Sequence, residues 1–135
     1  MSSLDLTLLD GELAVVRLDA GEAVPVWARP GAGGLLSITA AGAETSLVCD
    51  GVGVPAAARA SRGWRALVVA GPLDHALTGI LASIAAPLAE AGIPIFAVST
   101  FDTDYVLVPA DRAGDAAAAL REAGHRLHGP APANG

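Results

Sequence analysis

At 135 residues the chain has room for one domain or for two small half-domains, and folding should bury about two-thirds of its surface. Hydrophobic residues make up 53% but aromatics only 4%, so the core must be built from Ala, Val, Leu and Ile. The formal net charge of −6, with arginine as the sole basic residue type, argues against nucleic acid and anionic membranes as partners, and the single Cys49 excludes a disulfide framework or a thiolate metal cluster.

The N-terminus, Met1 to Asp5, lacks a basic region followed by an apolar core, so no signal peptide is expected. Ala76 to Ala89 is too short to span a bilayer and contains Pro87. A cytoplasmic location is the expectation.

In chain order, Leu4, Leu6 and Leu8 alternate with polar residues, Asp10-Gly11 follows, and Leu13 to Leu18 is again apolar. This pattern predicts a β-hairpin with a tight Asp-Gly turn. Asp19 to Gly34 holds several prolines and glycines, leaving room for about one helical turn and a loop. Leu35 to Thr39 and Thr45 to Cys49 form a second strand pair around Gly42, and Val54 to Arg59 fits a short helix with Pro55 in its first turn.

The second half begins with a strand from Arg65 to Ala70 and the breaker Gly71-Pro72. A helix is expected from near Asp74, with Leu77, Ile80, Leu81, Ile84 and Leu88 on one face and Gly92 as its stop. Pro87 forfeits the bond to the Ser83 carbonyl, so a bend is expected there. Ile93 to Thr100 is a strand, Phe101 to Asp104 a turn, and Tyr105 to Val108 the returning strand. Asp111 is placed to cap an alanine-rich helix ending at Gly124. His125 to Leu127 adds a last strand, and beyond it, with His128 at its root, residues 129–135 form a disordered tail.

Strand, helix, strand, strand, helix, strand is the ferredoxin-like order. The fold class is therefore α/β (α+β), with this βαββαβ unit over 63–128 and a degenerate half over 1–62. A shift of sixty positions lays Leu36, Ile38, Thr39, Glu44, Leu47 and Val48 on Phe96, Val98, Ser99, Asp104, Leu107 and Val108. The first half thus reads as a copy whose helices have eroded, and the seam between two such copies is a natural pocket.

Gly79 early in the first helix, the turn Ala91-Gly92-Ile93, and the run Ser99-Thr100-Phe101-Asp102-Thr103-Asp104-Tyr105 resemble the ACT-domain family of small regulatory, amino-acid-binding modules. The likeness is to the paired ACT-like domains of aspartate-kinase type and of the cytosolic arginine sensors. It covers about residues 64 to 128 well. The resemblance implies a ligand held between two ACT units, touching Gly79, Ser99, Thr100, Phe101 and Asp104. It also implies a homodimer, because isolated ACT-like modules pair through sheet edges or helices.

Physical chemistry supports such a position independently. A glycine opening a helix lets a ligand approach the backbone, and the free N–H groups there attract a carboxylate. Asp104, with Asp102 beside it, then meets an ammonium or guanidinium. Asp102-Thr103-Asp104 also fits two other roles, a paired-carboxylate metal site and plain turn chemistry. Cys49 reads as packing, the glycines between Gly31 and Gly34 as a linker, and His75 as a solvated residue near a helix start. His125 and His128, three apart, are a weak metal candidate.

These residues predict an amino-acid-binding regulatory protein with no cofactor, no metal and no chemistry of its own. The alternative is a dimerising interaction module without a ligand. An enzyme is disfavoured, since no nucleophile–base pair or nucleotide loop is readable.

Overall fold

The computed structural model of the chain describes residues 3–71 and 78–129. In order, the elements are β1 (Asp5–Leu8), β2 (Leu13–Asp19), β3 (Ser37–Ala41), β4 (Glu44–Asp50), β5 (Ala60–Val69), α1 (Ile80–Glu90), β6 (Phe96–Ser99), β7 (Asp104–Pro109), α2 (Ala113–Glu122) and β8 (Arg126–His128). Short 3-10 turns sit at Gly31–Gly33 and Ala110–Arg112. The chain divides into two units: Asp10–Trp64 forms one, and the flanking segments, up to Leu9 and from Arg65 onward, form the other.

That division differs from the expected 1–62 and 63–128 at its N-terminal end, because β1 belongs with the later elements. It pairs antiparallel with β5, from Leu6 opposite Val69 to Leu8 opposite Leu67, and parallel with β8, from Asp5 opposite Arg126 to Thr7 opposite His128. The expected β1–β2 hairpin does not form. Asp10-Gly11 does not reverse the chain, since β1 and β2 both run antiparallel to β5, and each strand follows the core its apolar face completes. Leu6 and Leu8 pack with Leu67, Val69, Ile84 and Leu120, whereas Ala14, Val16 and Leu18 pack with Leu47 and Cys49.

In the unit from Asp10 to Trp64 the strand order is β3-β4-β2-β5, all neighbours antiparallel. No α-helix occurs in it. Its apolar face is covered instead by Trp27, Ala28, Val54 and Ala58. The helix expected over Val54 to Arg59 is a single turn, closed by the Ala58 N–H on the Pro55 carbonyl at 3.0 Å. The Arg62 guanidinium donates to the Val54 and Pro55 carbonyls of this turn at 3.2 and 2.6 Å, so both are satisfied without a further helical turn.

In the other unit β6 pairs with β7, β7 with β5, β5 with β1 and β1 with β8. The elements β5-α1-β6-β7-α2-β8 keep the ferredoxin-like order, with β1 inserted between the first and last strands of the motif. Ile84 and Leu88 of α1 and Ala116 and Leu120 of α2 bury themselves on Leu6, Leu8, Leu67, Val69, Val106 and Val108. Leu81 lies at the flank of the α1 stripe and stays exposed. The expected start of α1 near Asp74, together with Leu77, lies outside the described residues.

Gly92 ends α1 as expected. It holds φ at 72° while its own N–H reaches the Ala89 carbonyl and the Ile93 N–H reaches the Leu88 carbonyl at 2.9 Å. Asp111, expected as a cap, does not act as one: a 3-10 turn precedes α2 and absorbs it. The first turn of α2 is served instead by an Arg112–Asp115 pair at 2.9 Å. His128, expected at the root of a disordered tail, is the last residue of β8, and residues 130–135 lie outside the described residues.

Candidate functional site

Strands β6 and β7 form a hairpin in which Ser99 is directly opposite Asp104. The four residues between them make the turn. Its backbone is closed by the Thr100 N–H on the Thr103 carbonyl at 2.8 Å, and the Thr100 hydroxyl accepts from the Thr103 N–H at 3.3 Å. Thr103 in turn donates its hydroxyl to the Val69 carbonyl at 2.6 Å, tying the turn to the end of β5. The turn is thus held at both levels, backbone and side chain.

Three of the five expected ligand residues, Ser99, Thr100 and Asp104, are brought together here. The Ser99 hydroxyl donates to Asp104 Oδ1 at 2.6 Å, and among the described residues Oδ2 has no partner. Asp104 is half-buried, so its free oxygen is a fixed acceptor. Phe101 stands at the tip of the turn, 81% exposed. Asp102 is exposed beside it.

The fifth residue, Gly79, is the cap of α1 and holds φ at 78°, a left-handed conformation that disfavours a side chain. Among the described residues a Cβ built there meets nothing within 4 Å, so backbone conformation by itself favours glycine here. The first helical bond is the Ser83 N–H on the Gly79 carbonyl at 2.9 Å.

The sixty-residue repeat survives in the strands and fails in the register. Glu44 opens β4 as Asp104 opens β7, but Glu44 pairs with Ala41, whereas Asp104 pairs with Ser99, two positions further from the equivalent residue, Phe101. The β6–β7 hairpin has a four-residue turn where the β3–β4 hairpin has two. Those two extra turn residues are what lift Phe101 out of the strand.

The remaining candidates resolve differently. Cys49 is buried, and its thiol is pushed up from its ordinary value by desolvation and then by Asp50, which suits packing and not nucleophilic attack. His125 is buried; its Nε2 lies 3.0 Å from the Ser83 carbonyl and its Nδ1 accepts the Leu4 N–H at 3.1 Å. His128 lies 3.0 Å from Asp5, whose carboxylate also receives Arg126 at 2.7 and 2.8 Å. Arg126 first, and His128 after it, hold the Asp5 carboxyl well below the usual carboxylate range. The two histidines are therefore committed to separate partners. Among the described residues no group of three or more His, Cys, Asp or Glu is placed to hold a metal ion, and no helix is long and apolar enough to cross a membrane. His75 lies outside the described residues.

A cleft the sequence reading did not foresee lies in the unit from Asp10 to Trp64, around Trp27. Its lining comes from β2 and from two loops far apart in sequence, so no local pattern marks it.

Comparison with known proteins agrees with this fold. An ACT-domain family model matches residues 59–122, from β5 to the end of α2. The human protein named cytosolic arginine sensor for mTORC1 subunit 1 is 46% identical over 52 residues, which is 38% of this chain and 16% of that protein, so the likeness spans a small part of that relative's length. A crystal structure of an Agobacterium tumefaciens protein matches with a TM-score of 0.88 at 38% identity, covering 97% of this chain and 96% of that one. The regulatory subunit of aspartate kinase from Thermus flavus shares the fold, with a TM-score of 0.57 at 13% identity over 90% of this chain and 97% of that one. The ACT-domain match thus falls on a βαββα core, in a chain whose ferredoxin-like order is intact.

Proposed function

We propose that the chain is a cytoplasmic regulatory module that binds an amino acid at the β6–β7 turn and performs no chemistry itself. Gly79, Ser99, Thr100, Phe101 and Asp104 are its ligand contacts. The ligand ammonium or guanidinium meets Asp104 Oδ2, and its carboxylate faces the N–H groups that open α1. A second ACT-like unit covers the ligand's open side, and the protein acts as a homodimer. Binding then shifts the population of one arrangement of these units, which a partner reads.

The reading is supported by the ACT-domain match over residues 59–122, by the 46% identity over 52 residues to a protein named as an arginine sensor, and above all by the half-buried Asp104 carboxylate, one oxygen of which is engaged by Ser99 while the other has no partner among the described residues. Thermal unfolding against the twenty amino acids, each at millimolar concentration, tests it. A compound at a hundred times its dissociation constant adds about 2.7 kcal/mol, seen as a rise of several degrees. A rise with one or two related amino acids, lost in Asp104→Ala, supports the sensor. No rise with any of them leaves a dimerising module without a ligand.

A further inference from the structure

The cleft in the unit Asp10–Trp64 has a volume of about 370 Å³ and is lined by Trp27, two prolines including Pro55, and the charged side chains Arg17, Asp19, Glu22 and Arg59. That volume lies within the range of small-molecule sites. Two cations and two anions make the lining neutral as a whole, which suits a ligand that carries both charges. Nothing in the hairpin position contributes a residue to it.

The charged groups are unequally committed. Arg17 is spread over Asp19 at 3.2 Å, Glu44 at 3.7 Å and the Ala43 carbonyl at 3.5 Å. Arg59 touches Asp19 through Nη1 alone, at 3.5 Å, and both side chains are more than half exposed. Such a contact contributes little and exchanges partners readily. Arg59 therefore keeps most of its donors open, and Asp19 Oδ2 has no partner among the described residues. The backbone beneath them is fixed, since the Arg17 N–H bonds the Arg59 carbonyl at 2.9 Å and the Asp19 N–H bonds Glu22 at 3.0 Å. Trp27 is half-buried against Ala14, Val16 and their neighbours. No hydrogen bond is made by its indole N–H among the described residues, so the ring offers a flat, anchored wall with a polar edge.

We propose that this cleft is a second small-molecule site, for a zwitterion bearing a flat apolar group, the class of the aromatic amino acids. The ligand carboxylate displaces Asp19 from Arg59 and pairs with the guanidinium, the ammonium takes Asp19 Oδ2, and the flat group lies on Trp27 and Pro55.

Tryptophan fluorescence tests this directly, because Trp27 and Trp64 are the two tryptophans of the chain and the Trp64→Phe variant isolates Trp27. Titration with L-phenylalanine should change the emission saturably, whereas glycine, lacking the flat group, and N-acetyl-L-phenylalanine, lacking the ammonium, should not. Arg59→Gln and Asp19→Asn should each weaken binding by about tenfold, with Asp104→Ala unchanged. Calorimetric titration of the wild-type chain repeats the comparison without replacing Trp64. Absence of saturable binding of phenylalanine by both methods overturns the proposal, as does equal binding of the N-acetyl compound. Loss of binding in Asp104→Ala, with Arg59→Gln and Asp19→Asn unaffected, assigns the ligand to the hairpin and likewise overturns it.

Discussion

Pro87 lacks the amide hydrogen that would reach the Ser83 carbonyl in an unbroken helix, and His125 stands in for it with Nε2 at 3.0 Å from that oxygen. The ring's tautomer follows from its other contact. Nδ1 accepts the Leu4 N–H, so the ring hydrogen resides on Nε2 and the neutral imidazole satisfies both partners. One side chain thus joins the start of β1 to the middle of α1.

Replacing His125 with Ala should cost about 2–3 kcal/mol, because a buried carbonyl and an amide lose their partner and a small cavity opens. Pro87→Ala supplies a helical N–H to the same carbonyl. The double variant should therefore lose less than the two single changes combined, with a coupling of about 1 kcal/mol in urea unfolding. Strict additivity would show that the two residues do not share the Ser83 oxygen.

Asp5 gives the fold a defined response to acid. Its folded-state pKa lies below the unfolded value of 3.8, so the contribution of the Asp5–Arg126–His128 cluster is complete above that value and is lost as pH falls through the folded one. Urea midpoints measured from roughly pH 5 to pH 2 should fall more steeply for the wild type than for Asp5→Asn. Parallel curves would remove Asp5 from the acid response.

Gly79→Ala should destabilise by about 1 kcal/mol, since φ of 78° penalises a side chain although the space around it is open. Gly79→Asn should cost less, as asparagine tolerates that region better. Equal stability of the alanine variant and the wild type, read by thermal unfolding, would show that the helix start adopts another conformation.

At the hairpin, Asp104→Asn and Asp104→Ala separate charge from shape. Both changes should alter the stability of the ligand-free protein by about 0.5 kcal/mol or less, the usual figure for a turn position. If Asp104 meets a cationic group, both should also abolish the ligand-dependent rise in unfolding temperature. Retention of that rise in Asp104→Asn would mean that the hydrogen-bonding shape, and not the charge, recognises the ligand.

Much of the second unit was legible from local pattern. The α1 stripe at Ile80, Ile84 and Leu88, the stop at Gly92 and the β6–β7 hairpin each depend on residues within a dozen positions of one another, where periodicity and turn chemistry act directly. The hairpin that brings Ser99, Thr100 and Asp104 together was legible for the same reason, whereas their choice as ligand contacts came from the resemblance to ACT domains.

The sequence by itself determined most of the strands and the helices α1 and α2, because those choices minimise local conflicts between backbone and side chain. Only the tertiary structure decided the partners. β1 joins β5 and β8 and not β2, Arg62 bonds the carbonyls of the single turn that stands where a helix is expected at Val54, and His125 finds the carbonyl that Pro87 leaves open, thirty-eight residues away in the chain. Each is a choice among distant groups of similar chemistry, and it is made by which apolar surfaces and unpaired polar atoms the folded chain brings within a few ångströms of each other.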